Sequence, residues 1–241
     1  MAYIIGSARI DEKGNAVGGA SGDQTGREVC TESFYMHSLG WYAYKAKDAN
    51  VAKALATAMK QACDNPHIGY DQNARLGVIT QLKKYGTLAK IPVNTECDCS
   101  SLVRACCIQS GFDPGNFTTY NEGKALEATG KFGAKISVTS STKLETGMIL
   151  VTKSKGHTVI VTQGETPKTG YNKTPQWVGM CNTALLNVRS GPGVSYPNIK
   201  KWPQLGYGNK VDVCDERNGW YYIRIDGRIY GFVSAQFISR V

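Results

Sequence analysis

The sequence predicts an α+β fold that is followed by a small all-β unit. Helical periodicity covers residues 48–63, apolar strand-like runs follow Gly147, and short strand-like segments separated by turns fill residues 177–241. Because the helices precede the strands instead of alternating with them, the pattern favours layered α+β packing over a parallel βαβ sheet.

Three helices are predicted in the first half of the chain. Residues 1–45 combine Gly-rich turns with short apolar runs, which indicates strands and loops. A helix is predicted over residues 48–63, with Asp48 or Asn50 as its N-cap. A second is predicted over residues 72–84, and a third begins at the Asp98-Cys99 step and ends before Gly111.

The distribution of turn-forming residues predicts two domains. Strands are predicted at residues 148–152 and 157–162, which complete a first domain of residues 1–165. Residues 166–176 are polar and rich in turn formers, so they are predicted to be a linker. Residues 177–241 hold five short strand-like segments, a pattern typical of a small barrel.

The charge balance indicates an acidic partner. The chain has 28 Lys and Arg against 19 Asp and Glu, a formal charge of +9. Nucleic acid, an anionic membrane surface and an anionic cell wall are all compatible with that charge. The absence of a basic run argues against a nucleic-acid arm, and neither a membrane-inserting segment nor a secretion signal is expected from the sequence.

Eight cysteines are present, and we expect most of them to be free thiols. Cys97, Cys99, Cys106 and Cys107 cluster along the chain, but their spacing is not the paired C-x-x-C pattern of structural zinc sites. Neither a metal nor a cofactor is therefore expected.

Cys99 is the strongest candidate nucleophile. It lies in the first turn of a predicted helix, where unpaired backbone N–H groups and the helix dipole favour a thiolate and should lower the thiol pKa. His157, one of three histidines, begins a strand about 60 residues later. Cysteine before histidine, and helix before strand, is the order used by papain-like peptidases.

Two motifs carry a family resemblance. Asp98-Cys99-Ser100 followed by Ser-Leu-Val resembles the Asp-Cys-Ser-Gly signature of NlpC-type peptidoglycan hydrolases, and the segments at Gly147 and Gly156-His157 resemble their paired strands. Residues 1–165 as a whole resemble N-terminal domains of endolysins from phages of Gram-positive bacteria. The resemblance implies a papain-like cysteine peptidase that cleaves an amide bond in the stem peptide, with the D-glutamyl or D-glutaminyl bond to the diamino acid as the expected target.

The resemblance also assigns roles to individual residues. Cys99 matches the nucleophile and His157 the general base. Asp98 and Ser100 match positions that contact the free amine end of the stem peptide, and Tyr70 resembles a tyrosine whose hydroxyl lies near the nucleophile. Asp98 has an equally good structural role as the helix N-cap.

The third catalytic residue is not determined by the sequence. The family usually takes a polar residue from the strand after the histidine strand, and here the predicted linker begins first. Thr162, Gln163 and Glu165 are candidates for orienting His157, as is the pair Asp23-Gln24. Ser101 also replaces the usual Gly of the signature, a small change.

The C-terminal segment resembles a bacterial SH3 domain. Leu-Asn-Val-Arg-Ser-Gly-Pro at residues 186–192 matches the opening of such domains, and Gly231-Phe232-Val233 matches a later strand. The resemblance implies an SH3-like barrel that holds the enzyme on the wall. Trp220, Tyr222 and Tyr230 are candidates for wall contact through their flat faces, with a core position as the alternative.

The sequence therefore predicts a monomeric peptidoglycan hydrolase with peptidoglycan as its partner. It would act outside the cell at the wall, after release through a holin or export by another route. One alternative keeps the fold and cuts the N-acetylmuramoyl-L-alanine bond. Another is a binding protein for the wall or for nucleic acid, whose enzyme domain is catalytically inactive.

Overall fold

A computed structural model describes residues 2–154, 156–166, 171–194, 196–217 and 219–241. The chain forms two compact units, Met1–Thr169 and Gly170–Val241. Part of the predicted linker, residues 167–170, lies outside the described residues, so the predicted domain limits remain a prediction.

The N-terminal unit contains a six-stranded sheet and a separate pair of parallel strands. The strands are β1 (Ile4–Ala8), β2 (Val29–Ser33), β3 (Trp41–Tyr44), β4 (Ile68–Tyr70), β5 (Thr95–Cys97), β6 (Ile136–Ser137), β7 (Ile149–Thr152) and β8 (Thr158–Gln163). The sheet has the order β2-β1-β8-β7-β3-β6 with antiparallel neighbours, and β4 pairs in parallel with β5. The predicted strands after Gly147 are confirmed as β7 and β8.

Four α-helices accompany this sheet: α1 (Ala49–Cys63), α2 (Gly77–Tyr85), α3 (Cys99–Gln109) and α4 (Glu122–Ala128). Asp48 is the N-cap of α1, because its carboxylate accepts the N–H of Asn50 at 2.7 Å. The first and third predicted helices are confirmed, and mixed α/β architecture agrees with the predicted fold class.

The second helix begins later than predicted, at Gly77 instead of Gln72. The Asp71 side chain accepts the N–H of Asn73 at 2.8 Å. This local bond forms an Asx turn that competes with the first turn of a helix. Gly86, in the left-handed region at φ 81°, ends the helix where the sequence predicted. The short helix α4 was not predicted.

The two faces of the six-stranded sheet have different coverings. On the helix face, Val151 and Ile160 join the core formed with α1 and α3. On the opposite face, which we call the Trp41 face, Trp41, Leu150 and Val159 form a second cluster. Successive residues of a strand point to opposite faces, so β7 and β8 contribute alternate side chains to each core.

The C-terminal unit is built from strands. Five of them, β9 (Trp177–Cys181), β12 (Lys210–Arg217), β13 (Trp220–Ile225), β14 (Ile229–Ser234) and β15 (Ile238–Arg240), form a sheet of order β14-β13-β12-β9-β15, and β10 (Leu185–Asn187) pairs with β11 (Gln204–Gly206). Strand pairing among the described residues does not close into a ring, so the barrel remains a prediction. No α-helix in the described parts of the chain has the length and apolar character needed to cross a membrane.

Candidate active site

Cys99 is the first residue of α3, and a capping box fixes the start of that helix. The Asp98 carboxylate accepts the N–H of Ser101 at 2.6 Å, and the Ser101 hydroxyl accepts the N–H of Asp98 at 2.9 Å. Ser101, which stands where the NlpC-type signature has Gly, thus completes the cap. Cys99 is held with its thiol at the N-terminal end of a helix.

The Cys99 thiol is deeply buried, with 7% of the residue exposed. Burial raises its pKa to about 12, and electrostatic interactions with the carboxyl groups of Asp98 and Glu122 act in the same direction. Backbone N–H groups of Thr158 and Ser100 oppose this shift because they stabilise the thiolate. The expectation of a lowered pKa at the helix start is therefore wrong for the resting state, since desolvation exceeds the effect of the helix.

Tyr70 is close enough to Cys99 for the two side chains to interact electrostatically. It ends β4, opposite Cys97 in β5, and the next residues along the chain are Asp98 and Cys99. Burial raises the pKa of Tyr70 to about 12, with smaller contributions from the nearby Cys99 and Asp98. The side-chain amide of Gln72 donates to the Tyr70 hydroxyl at 3.0 Å, which orients that hydroxyl.

The Gly-rich N-terminal segment supports the strand that carries Tyr70. A Cβ on Gly69 would lie 2.4 Å from the carbonyl oxygen of Gly22, so only glycine permits this approach. Glu96 accepts the N–H of Gly22 at 2.7 Å, and Glu28 accepts the N–H of Tyr70 at 3.1 Å. Burial raises the pKa of Glu96 to about 7.

His157 packs against Trp41, with ring centroids 6.2 Å apart, and His37 contacts the same indole at 5.3 Å. Burial, together with smaller contributions from His37 and Arg9, lowers the pKa of His157 to about 4. The imidazole is therefore neutral at neutral pH, as a general base must be.

Cys99 and His157 approach the start of β8 from different sides. On the helix face, the Thr158 hydroxyl donates a hydrogen bond to Glu122 at 2.8 Å. The imidazole of the preceding residue, His157, lies on the Trp41 face. Among the described residues, no hydrogen bond joins the Cys99 thiol to the His157 imidazole. The backbone N–H of Thr158 is the element of β8 that faces the sulfur.

The candidates for a third catalytic residue do not lie near His157. Thr162 and Gln163 are at the far end of β8, about 16 and about 20 Å from His157 along the strand at the usual rise per residue, and Glu165 is beyond them. The Thr162 hydroxyl donates to the carbonyl of Ile4 at 3.3 Å.

The alternative pair, Asp23 and Gln24, stabilises its own loop. The Asp23 carboxylate accepts the N–H of Gly26 at 2.7 Å, and the Gln24 side chain donates to the carbonyl of Ser21 at 2.9 Å. No hydrogen bond between either residue and His157 occurs within the described ranges.

Arg75 connects the residues that flank the nucleophile. Its Nε donates to Asp98 Oδ2 at 2.6 Å, and its Nη2 donates to Ser100 Oγ at 2.9 Å and to the carbonyl of Phe117 at 2.6 Å. The Nη1 atom donates to Asn116 Oδ1 at 3.1 Å. The guanidinium is thus a fixed part of the site, with 17% of the side chain exposed.

Glu122 is the second charged residue next to the nucleophile. It is fully buried, and desolvation raises its pKa well above the ordinary value. Its Oε1 accepts the Thr158 hydroxyl, while Oε2 has no hydrogen-bond partner among the described residues. Burial therefore favours the protonated form of this carboxyl, and its hydrogen bond with Thr158 ties α4 to the start of β8.

In the C-terminal unit, the candidate wall-binding tyrosines lie together. Tyr222 and Tyr230 are stacked with their centroids 5.4 Å apart, and Tyr171 and Phe232 each lie 4.9 Å from Tyr222. Trp220 precedes Tyr222 by two positions and so projects from the same face of β13. The alternate residue, Tyr221, packs on the core against Trp177.

Comparison with known protein families agrees with this two-part architecture. The endolysin-like domain matches residues 5–167, more than half of the chain. The chain belongs to the endolysin-like domain family. A bacterial SH3 domain matches residues 184–239. A search of curated proteins finds no match. An endolysin-like domain joined to a bacterial SH3 domain indicates a peptidoglycan hydrolase that acts on the cell wall.

Sequence analysis of the endolysin-like domain missed Arg75, Glu122 and Gln72. Arg75 and Gln72 lie in the segment between β4 and α2, and Glu122 lies in α4, at 24, 27 and 23 positions along the chain from Cys99, respectively. The position of Gln72, two residues after Tyr70, was the available sequence signal for this residue. Arg75 and Glu122 had no local signal.

Proposed function

We propose that the endolysin-like domain is an NlpC-type, papain-like cysteine peptidase and that Cys99 is its nucleophile. The proposed substrate is the stem peptide of peptidoglycan, cut at the D-glutamyl or D-glutaminyl bond to the diamino acid. In this proposal the C-terminal domain forms an SH3-like barrel that binds the wall, and the protein works there as a monomer without a metal.

The observation that best supports the proposal is the surroundings of the Cys99 thiol. It lies where α3 begins, within electrostatic range of Tyr70 and against the backbone of Thr158, the residue that follows His157. Backbone N–H groups from a helix start and from a strand converge on one sulfur. Such groups stabilise both a thiolate and the oxyanion of a tetrahedral intermediate.

The proposed chemistry begins with transfer of the thiol proton to the neutral imidazole of His157, directly or through one water molecule. The thiolate attacks the amide carbonyl, and the carbonyl oxygen becomes an oxyanion held by backbone N–H groups at the helix start. The C–N bond then breaks as His157 protonates the leaving amine. Water attacks the resulting thioester, which releases the new carboxylate and restores the thiol.

Asp98, Ser100 and Tyr70 form the proposed substrate-binding side of the site. Asp98 and Ser100 flank Cys99 along the chain and are joined by a hydrogen bond. The Tyr70 hydroxyl, which accepts a hydrogen bond from Gln72, interacts electrostatically with Cys99. Trp220, Tyr222 and Tyr230 are the proposed wall contacts of the C-terminal domain, because the stacked tyrosines offer flat faces to a sugar or peptide.

One observation favours the alternative of a non-catalytic wall-binding protein. The Cys99 thiol has a pKa of about 12 and, among the described residues, no hydrogen bond to a His157 nitrogen. A catalytic pair in a substrate-free enzyme often has a long or misaligned hydrogen bond that tightens when substrate binds, and we therefore prefer the enzyme.

Digestion of purified peptidoglycan tests the proposal. The wild type should release fragments whose masses identify the bond cut, and Cys99→Ala should reduce the rate by roughly 10³-fold or more. Cys30→Ala is the matched control, because this half-buried cysteine lies in β2 away from α3. If neither the wild type nor the control releases fragments while both bind the wall, the non-catalytic alternative replaces the enzyme.

A further inference from the structure

The carboxylate of Asp98 is already occupied by groups of the protein itself. Oδ1 accepts hydrogen bonds from the Ser101 N–H at 2.6 Å and the Ser100 hydroxyl at 3.0 Å, and Oδ2 accepts one from Arg75 at 2.6 Å. These bonds use three of the roughly four acceptor positions that a carboxylate offers. The residue is 8% exposed. Little capacity remains for a ligand cation.

Arg75 also places a positive charge beside that carboxylate. Four of its five N–H groups have acceptors in Asp98, Ser100, Asn116 and the backbone of Phe117. A guanidinium with so many acceptors does not swing aside as a surface arginine does. The Arg75–Asp98 pair is thus a fixed neutral unit next to the nucleophile.

A substrate ammonium group would meet this unit unfavourably. It would lose its hydration at a buried position without gaining a free carboxylate, and it would lie next to the Arg75 guanidinium, a like charge. The other nearby acid, Glu122, is fully buried, and burial disfavours the negative charge that would compensate the ammonium. A neutral acylated nitrogen avoids both costs, and the remaining N–H of Arg75 Nη1 can donate to its carbonyl oxygen.

We propose that Arg75 is a specificity-determining residue that makes the enzyme select stem peptides whose first amino group is acylated, as it is while the peptide remains attached to the glycan. This inference rests on the proposed hydrolase function. It specifies the substrate class as glycan-linked stem peptides and not free peptides, which is the opposite of the free-amine contact that the family resemblance implies for Asp98 and Ser100.

Two substrates of identical peptide sequence test the inference, one linked to N-acetylmuramic acid and one with a free amino end. We expect the wild-type kcat/KM to favour the linked substrate by at least about tenfold at pH 6.5. The difference should narrow above about pH 8, where an α-amino group loses its charge. Arg75→Met should reverse or abolish the preference, since it leaves the Asp98 carboxylate free to pair with an ammonium.

Two further variants separate this role from a structural one. Arg75→Lys keeps the positive charge and should keep a preference for the linked substrate. Arg104→Met removes an arginine of α3 that pairs with Asp113 at 2.9 Å, and it should leave the ratio unchanged. If Arg75→Met fails to fold, the role of Arg75 is still tested by Arg75→Lys and by the wild-type ratio of kcat/KM for the two substrates at different pH values.

The outcomes distinguish this inference from the function on which it rests. A wild type that cleaves the free-amine peptide better, or a folded Arg75→Met with the wild-type ratio, overturns the role of Arg75 and leaves the hydrolase intact. A wild type that cleaves neither substrate overturns the hydrolase and this inference together.

Discussion

The polar side chains at the two ends of β8 have different roles. At its start, Thr158 is fully buried, its hydroxyl binds Glu122 and its N–H faces the Cys99 sulfur. At its end, Gln163 and Glu165 are exposed, and the backbone N–H of Glu165 donates to the carbonyl of Leu144 at 2.8 Å. The start of the strand belongs to a site, whereas the end belongs to the framework of the sheet.

The difference shows how burial separates the chemistry of similar residues. Thr158 and Thr162 both lie on the helix face of β8, four positions apart. Thr158 meets a fully buried carboxyl, while Thr162 donates to a backbone carbonyl of the neighbouring strand. The same residue type, threonine, therefore takes part in the candidate site at one end of β8 and in strand packing at the other.

Replacement of His157, the residue that precedes β8, is expected to have the largest effect on the cleavage rate. His157→Ala should lower the rate of peptidoglycan cleavage by about 10²- to 10⁴-fold, because the thiol loses its proton acceptor. Turbidity loss of a wall suspension, calibrated with released peptide, measures the rate. His67→Ala is the control, because that imidazole binds Asn94 at 2.8 Å in a loop.

A His157→Ala enzyme with nearly wild-type activity would contradict the assignment of this histidine as the base. His37 contacts the same indole of Trp41 and would be the next residue to replace.

A smaller effect is expected when Glu122 is changed. Glu122→Ala should lower the free energy of unfolding by about 1–3 kcal/mol, since the buried Thr158 hydroxyl loses its acceptor. Denaturant unfolding followed by fluorescence measures the change. Glu122→Gln keeps an acceptor oxygen and should lose less.

The pH dependence of Glu122→Gln provides a sign test. Folding raises the pKa of Glu122. Its protonated form therefore contributes fully to the free energy of unfolding below the pKa of the unfolded chain, about 4.5, and this contribution is lost as the pH rises. Glu122→Gln, which does not ionise, should match the wild type near pH 4 and exceed its stability at neutral pH. A wild type that gains stability over this range relative to Glu122→Gln would show that the carboxyl is ionised in the fold.

The smallest effects are expected at the far end of the strand. Gln163→Ala and Glu165→Gln should change unfolding free energy by no more than about 0.5 kcal/mol and leave the cleavage rate within roughly twofold of the wild type. Thr162→Val should behave similarly in the cleavage assay. A large loss of rate without a loss of stability in any of the three would mean that the far end of β8 contributes to catalysis.

Local sequence signals predicted the parts of the fold that are held by local bonds. The boundaries of α1 follow from its apolar face and the Asp48 cap, and the start of α3 follows from the Asp98 side chain. These signals are reliable because each cap bond joins residues two or three positions apart. The start of α2 was misplaced because an Asx turn at Asp71 competes with the helix.

The rest of the site depends on contacts that no short sequence window contains. Arg75 reaches Asp98 across 23 positions, and Glu122 reaches Thr158 across 36. The pKa of Cys99 likewise depends on how deeply the assembled fold buries it, a quantity that the helix position alone does not predict. A third catalytic residue was sought after His157 in the sequence, but the candidates there lie at the far end of β8 or beyond it.

Pairing of β1 with β8 has a consequence for the time at which the enzyme can form. Ile4 lies opposite Gln163, so the centre of the sheet joins nearly the first and nearly the last residues of the N-terminal unit. During synthesis the ribosome delivers β1 long before β8, and contacts so distant in sequence form late in folding. The backbone that faces the Cys99 sulfur arrives with β8, which means that the nascent chain carries no assembled site until this last strand has emerged.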